Sequence, residues 1–514
     1  MNGAKSLVKT LLASGIDTCF ANPGTSEMHF VAALDQVPGM KCVLGLQENV
    51  VTGMADGYFR IARKPACTLL HCGPGLANGM GNLHNARRAR SGIVNIVGDQ
   101  ATYHRPFDAP LTADTAGMAQ TVSQWVRTSV DSARLGRDAA EAVAAARSFP
   151  GQIATLILPA DVSWNEGGVV GEPVPAPASL PVDGNAIENA ARTLRAHGAD
   201  TLILVGGTAV LSDAHPWLWR IAQATGATLM ADFVTAHLSR GRGRLQLERT
   251  PYVMEAAIKA LQRYRHIILV NAKPPVGFFA YPGLPSTQYP PDAQLQVLAR
   301  ADQDPLPALQ ALASLLNAPE VAIPDPGPRP AVATGAPTPE GLAQTVAAVM
   351  PEHAIISDES VSFGRGFYKF SHAAPPNDWL HLAGGAIGDG LPVATGAAIG
   401  AQKQRRVISL QADGSAMYSL QSLWTQAREK LPCTTIILNN SKYNILIGEY
   451  ANVGATPGDT AMSMLDLGNP ALNWVGLANA MGVEAARATT LEQCADLMQA
   501  SFGKQAPFLI ELMV

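Results

Sequence analysis

The chain has 514 residues, 47% of them hydrophobic, and a formal charge of −4. That length suggests about three or four domains, and the near-neutral balance argues against a nucleic-acid or acidic-membrane partner. No apolar run is long and uninterrupted enough to span a bilayer, and the opening MNGAKSLVKTLLASGID lacks a secretory apolar core, so a cytoplasmic location is expected. The cysteines (Cys19, Cys42, Cys67, Cys72, Cys433, Cys494) have no metal-ligand spacing and read as buried free thiols.

In chain order, the amphipathic opening reads as a helix ended near Gly15. After the strand DTCFA, the turn Asn22-Pro23-Gly24 projects Thr25 and Ser26 at the sheet's carboxyl edge, where they could meet a substrate or cap the next helix. CVLGL, ACTLLH, IVNIVG and IATLIL are further candidate strands. Glu48 opens a helix just after an apolar strand, a place where a carboxylate offsets the helix dipole. His71 directly follows CTLL and begins HCGPGLANGMGN. Its side chain is either structural or a group that exchanges a proton near neutral pH. Gln100, in VGDQA, could bond a substrate oxygen or merely end its strand.

Two stretches rich in Pro and Gly, residues 171–184 and 317–340, read as linkers. They leave a first part at 1–170, a middle part at 185–316 and a third at 335–514. The middle part has strands TLILVGG, ATLMA and HIILVNA, and an apolar loop NAKPPVGFFAYPG carrying Phe278 and Phe279. Its VGG turn lacks a complete dinucleotide fingerprint. The third part has AIISD, RVISLQ, TTIIL and FLIEL. Short β-branched runs spaced by helices predict parallel sheets with helices on both faces. The expected fold is α/β, with three doubly wound parallel-sheet domains.

The third part holds the most informative pattern. Asp413-Gly414-Ser415 follows VISLQA, a helical segment comes next, and TTIIL ends in Asn439-Asn440. Asp413 and Asn440, 27 positions apart, both stand at strand carboxyl ends, where open α/β sheets bind ligands. Two hard oxygen donors with room for phosphate oxygens and water suit Mg²⁺. Upstream, HLAGGAIGDGLPVATGAAIG supplies glycines that let backbone approach a ligand closely.

The stretch from Asp413 to Asn440 resembles the diphosphate-binding motif of thiamine diphosphate (ThDP) enzymes, with Ala412 in place of the leading glycine. The resemblance covers essentially the whole chain. The part order is that of the decarboxylase and acetolactate synthase branch: pyrimidine-binding, middle and diphosphate-binding. It implies that Asp413, Asn440 and the main-chain carbonyl of Lys442 hold Mg²⁺, with Gly414 and Ser415 beside the diphosphate. It implies that Glu48 bonds the pyrimidine N1′, so that the 4′-imine can take the C2 proton. The carbonyl of Gly385 would accept from the 4′-amino group, and Ile387 would hold the cofactor bent. His71 would handle protons on intermediates, as the histidine does at the matching place of benzoylformate decarboxylase, with Thr25 and Gln100 in the substrate pocket. Tyr443, Ile445 and Glu449 fall where family members line that pocket. Phe278 and Phe279 stand where benzoylformate decarboxylase carries a second histidine. Asp389 departs from the family, where an aromatic or apolar residue is common. FAD is not expected in the middle part.

The reading is therefore a ThDP- and Mg²⁺-dependent 2-oxo acid decarboxylase similar to benzoylformate decarboxylase, with carboligase activity in reach. An acetolactate synthase-type carboligase is the alternative. A non-catalytic binding or regulatory relative would be expected to lose Glu48 or the metal ligands, and all are present. The family pattern further implies a homodimer or homotetramer with sites between subunits.

Overall fold

The computed structural model describes residues 1–364, 367 and 369–514. Three β-sheets carry the architecture. The first contains β1 (Thr18–Ala21), β2 (Lys41–Leu44), β3 (Ala66–Leu70), β4 (Ile93–Asp99), β5 (Trp125–Thr128) and β6 (Ile153–Pro159) in the order β2-β1-β3-β4-β6-β5. All its pairings are parallel. The second contains β7 (Thr201–Val205), β8 (Thr228–Ala231), β10 (Glu248–Arg249), β11 (His266–Val270) and β12 (Gln294–Ala299), ordered β10-β8-β7-β11-β12. The third contains β13 (Ile355–Glu359), β14 (Asn377–His381), β15 (Val407–Ala412), β16 (Cys433–Asn439), β17 (Glu484–Ala488) and β18 (Phe508–Met513), ordered β17-β18-β16-β15-β13-β14. The fold is thus three parallel-sheet α/β layers, as the spacing of apolar runs predicts.

One strand crosses between layers. β9 (His237–Arg240) lies in the middle part but pairs antiparallel with β14 at the edge of the third sheet. Its two short flanking strands belong to the second sheet, so β9 stitches the two layers together. Of the six free thiols, five are buried as expected; Cys42 is exposed, because β2 is an edge strand.

The first and third layers share a core. Val50, Val51 and Met54, on the helix Glu48–Ala62, pack in one apolar cluster with Val393, Ala394 and Ala397 of the helix Gly390–Gly400. Small residues make that approach possible. A Cβ on Gly57 would stand 2.1 Å from the Val393 carbonyl oxygen, and one on Gly396 would stand 1.9 Å from that of Met54. The close pair aligns the amino ends of both helices, and those ends carry Glu48 and the glycine-rich segment.

Candidate functional site

Each singled-out residue of the first layer stands beyond a strand's carboxyl end. Thr25 follows β1, Glu48 follows β2, His71 follows β3 and Gln100 follows β4. In the third layer Gly385 and Ile387 follow β14, Asp413 follows β15 and Asn440 follows β16. This is the edge at which doubly wound sheets bind ligands.

Glu48 is buried at the first position of its helix, and its Oε2 accepts from Asn78 Nδ2 at 3.1 Å. Asn78 lies on the helix Cys72–Ala89, whose next asparagines reach the third layer. Asn82 Nδ2 donates to Asn49 O (2.8 Å) and Gly388 O (3.2 Å). Asn85 bonds both ways with the Ala386 backbone, donating to its carbonyl at 2.7 Å and accepting from its N–H at 3.1 Å. One asparagine-bearing face therefore fixes both the Glu48 carboxyl and the glycine-rich turn.

His71 caps that same helix and faces a partner that sequence reasoning missed, Glu27. His71 Nδ1 lies 3.0 Å from Glu27 Oε2 and 3.2 Å from Ser26 Oγ. Glu27 is fully buried, accepts from Gly24 N–H at 2.8 Å and also bonds Ser26 Oγ. Two glycines leave room for the pair: a Cβ on Gly24 would sit 2.2 Å from His71 Cγ, and one on Gly98 would sit 1.6 Å from Glu27 Oε1. Burial pushes the adjacent Cys72 thiol up to about 11, so it stays protonated at neutral pH. Thr25 is exposed, and its hydroxyl makes no hydrogen bond among the described residues; Ser26, one place on, takes the contact with His71. Gln100 turns its amide to the Pro110 carbonyl at 2.7 Å.

Asp413 is buried, with its Oδ1 accepting from Gly414 N–H (2.9 Å) and its Oδ2 from Ser441 N–H (2.7 Å). Burial raises its pKa despite these donors. Among the described residues no cation pairs with it, and its neighbour Asn440 offers another oxygen, engaged only by Lys442 N–H at 3.1 Å. A buried carboxylate beside a second hard oxygen fits a small divalent cation. Ser415 turns its hydroxyl back to the Ala412 carbonyl (3.1 Å). Gly414 lies under the Tyr443 ring, where a Cβ would meet Cε1 at 2.5 Å.

The middle layer closes over this edge. Gly385 has φ +83°, and a Cβ there would stand 2.6 Å from Phe278 Cζ. The Phe278 ring packs edge-on against Phe279 and Phe233. In the same loop Tyr281 donates to Glu449 Oε2 at 2.9 Å, so Glu449 latches the helix Asn444–Asn452 to the loop. A second missed acid, Glu359, ends β13 and accepts from the N–H groups of Gly388 (2.7 Å), Asp389 (3.3 Å) and Gly390 (2.9 Å). Burial nonetheless pushes it up to about 7.

A cavity of about 680 Å³ lies at the opposite edge of the third sheet, lined by Arg244, His353, Lys403, Arg405 and Arg406 among others. Its basic groups are engaged by main-chain carbonyls: Arg405 by His353 O (2.6 Å), Arg406 by Phe502 O (3.1 Å), Lys403 by Glu429 O. It shares no residue with the edge described above. Among the described residues no helix is long and apolar enough to cross a membrane.

Family models identify the first and third parts of the chain. Residues 1–125 match the N-terminal, and residues 362–512 the C-terminal, TPP binding domain of thiamine pyrophosphate enzymes. The chain belongs to the thiamine pyrophosphate enzyme family. It is similar to IlvX of Mycobacterium tuberculosis, provisionally named an acetolactate synthase large subunit, at 48% identity over 100% of this chain and 99% of that one. It is 29% identical to benzoylformate decarboxylase of Pseudomonas aeruginosa, over 97% of this chain and 96% of that one. Among solved structures, the ThDP-dependent 4-hydroxybenzoylformate decarboxylase of Rhodococcus jostii RHA1 superposes with a TM-score of 0.84 at 25% identity, covering 99% and 98% of the two chains. The protein is therefore a ThDP-dependent enzyme of the decarboxylase and carboligase kind, related to both benzoylformate decarboxylase and acetolactate synthase.

Proposed function

We propose that this enzyme is a Mg²⁺- and ThDP-dependent 2-oxo acid decarboxylase of the benzoylformate decarboxylase type, able to pass its product to an acceptor carbonyl in a side reaction. The observation that carries the choice is the buried Glu27 against His71 at the ligand edge. A decarboxylase must return a proton to carbon after CO₂ leaves, and a histidine held by a carboxylate is suited to that transfer. A carboligase of the acetolactate synthase type, the second reading, is favoured by the identity to IlvX.

The cofactor would supply the nucleophilic carbon and the electron sink. Asp413, Asn440 and the Lys442 carbonyl would hold Mg²⁺, with Gly414 and Ser415 next to the diphosphate. Glu48, steadied by Asn78, would share its proton with the pyrimidine N1′. The Gly385 carbonyl would take the 4′-amino group and Ile387 would keep the cofactor bent. Phe278 would keep water from the substrate carboxylate, and His71 would move the proton, with Ser26, Thr25 and Gln100 facing substrate. We further propose domain limits of 1–170, 185–316 and 335–514, a cytoplasmic location, and a homodimer or homotetramer with each site between two chains.

The test is a panel of aromatic and aliphatic 2-oxo acids, with and without acceptor aldehydes, read for CO₂ and products. Aldehyde release from an aromatic 2-oxo acid is expected; condensation of two pyruvates as the fastest reaction would overturn the decarboxylase reading. Mixing inactive Glu48→Gln with inactive Asp413→Ala chains should restore about a quarter of the activity if sites span a two-fold interface.

A further inference from the structure

Asp389 is the residue that neither the resemblance nor the proposed chemistry uses. Its side chain is buried immediately before the helix Gly390–Gly400. The groups facing it come from three elements. Asp56 and Arg60 come from the helix Glu48–Ala62, Glu359 from the end of β13, and the neutral Asn85 from the helix Cys72–Ala89. Asp389 Oδ2 stands 3.8 Å from Arg60 Nη2, and Oδ1 has no hydrogen-bond partner among the described residues.

Among the described residues Arg60 is the cation that faces Asp389 and Asp56, and it is anchored in several directions. Its Nε donates to Asp56 Oδ1 at 2.8 Å, and its Nη2 also bonds Asp56. Its Nη1 donates to the His381 carbonyl at 2.7 Å and reaches the Ala236 carbonyl at 3.4 Å. Arg60 thus touches the first layer, the end of β14 and the segment before β9. Glu359 holds the other side of the same turn through the Gly388, Asp389 and Gly390 N–H groups.

We propose that Asp389 is a positioning residue: together with Arg60 it locks the turn 384–388 to the helix that begins at Glu48. The Gly385 carbonyl and the Glu48 carboxyl are then each held in place on the same rigid pair of elements, each toward the site it serves. The lock depends on charge. Three carboxylates cannot all ionise around one guanidinium out of water. Burial raises the Asp389 pKa well above the ordinary carboxylate range; Asp56 and Glu359 add to this while Arg60 opposes it. Asp389 therefore holds its proton more tightly than an ordinary carboxyl, and its ionisation as pH rises sets a third negative charge against Asp56 and Glu359 and loosens the turn. This rests on reading 384–388 as the cofactor-facing turn.

The experiment pairs two readouts on the full chain. ThDP binding with Mg²⁺ is titrated from pH 6 to 9 in wild type, Asp389→Asn and Asp389→Ala. Amide exchange of residues 384–390 is followed over the same range without cofactor, corrected for intrinsic rates. Wild type should lose ThDP affinity by about 10-fold or more at the alkaline end. Asp389→Asn, neutral at every pH, should vary by less than about 3-fold, with its turn protected throughout. Asp389→Ala should bind weakly at every pH. Parallel alkaline losses in wild type and Asp389→Asn, with equal exchange, would overturn the lock. Exchange that depends on Asp389 while ThDP affinity does not would keep the lock and refute the cofactor-facing reading of the turn instead.

Discussion

Glu359 sets two strong effects against each other. Three backbone N–H groups favour its ionised form, and complete burial favours the neutral one. Burial wins, moving the group from an ordinary 4.5 to about 7. A carboxyl raised on folding keeps a proton that the unfolded chain has already lost. Its contribution is fully present below about pH 4.5 and is lost as pH rises through about 7. At about 1.36 kcal/mol per pH unit, that gap amounts to about 3 kcal/mol. Glu359→Gln has nearly the same shape and does not titrate. The stability of wild type relative to Glu359→Gln should therefore fall by about 3 kcal/mol between pH 4 and pH 8. Urea unfolding of the cofactor-free proteins would measure it, followed through the buried Trp379 and Trp474 of the third layer. Taking the difference between the two proteins cancels the titration of distant groups. A difference that is flat with pH, or that grows in favour of wild type as pH rises, would refute the argument. The N–H donors would then outweigh burial.

Asp413→Ala should weaken ThDP binding in the presence of Mg²⁺ by on the order of 100-fold, about 2.7 kcal/mol, and should abolish the enhancement by Mg²⁺; calorimetric titration with and without the ion checks both. His71→Ala should lower kcat by about 100-fold or more with ThDP affinity nearly unchanged, and equal kcat in the variant would make His71 structural. Gly57→Ala drives a methyl group to 2.1 Å from the Val393 carbonyl oxygen. Overpacking of that kind costs about 1–3 kcal/mol, so the urea midpoint should drop and ThDP affinity should fall with it.

Much of this molecule is readable from apolar runs. β3, β4, β6, β7, β15, β16 and β18 are continuous β-branched or leucine-rich stretches, buried on both faces. Because those runs end where the sheet ends, the residues just past them, His71, Gln100, Asp413 and Asn440, fall at the ligand edge. Strands with mixed composition were not readable. β14 is NDWLH and β17 is EAARA, and each is held by pairing with a better-marked neighbour. β9 could not be foreseen, since its partner belongs to another layer. The missed site residues share one cause. Glu27 and Glu359 look like solvated acids at turns, and only long-range closure removes them from water. Glycines at 24 and 98 bring His71 and β4 against Glu27, and the turn 388–390 folds over Glu359.

The acids at this edge differ in what answers their charge, and the difference argues for separate tasks. Glu27 meets a histidine, which can take up and release a proton. Glu48 meets one asparagine amide, which steadies the carboxyl without supplying a charge. Glu359 meets donors only, so it closes the backbone turn that precedes the helix Gly390–Gly400. Asp413 has the Asn440 side chain as its neighbour across the strand ends, and two N–H groups do not reverse the effect of its burial. Converging acceptors call for a cation, just as converging donors call for an anion. A proton on Asp413 would satisfy that need at low pH, but at neutral pH a divalent cation held by Asp413 and Asn440 would do so while helping to hold the cofactor. Loss of Mg²⁺ and loss of Asp413 should therefore look alike in binding, whereas loss of Glu27 or His71 should leave binding intact and act on turnover.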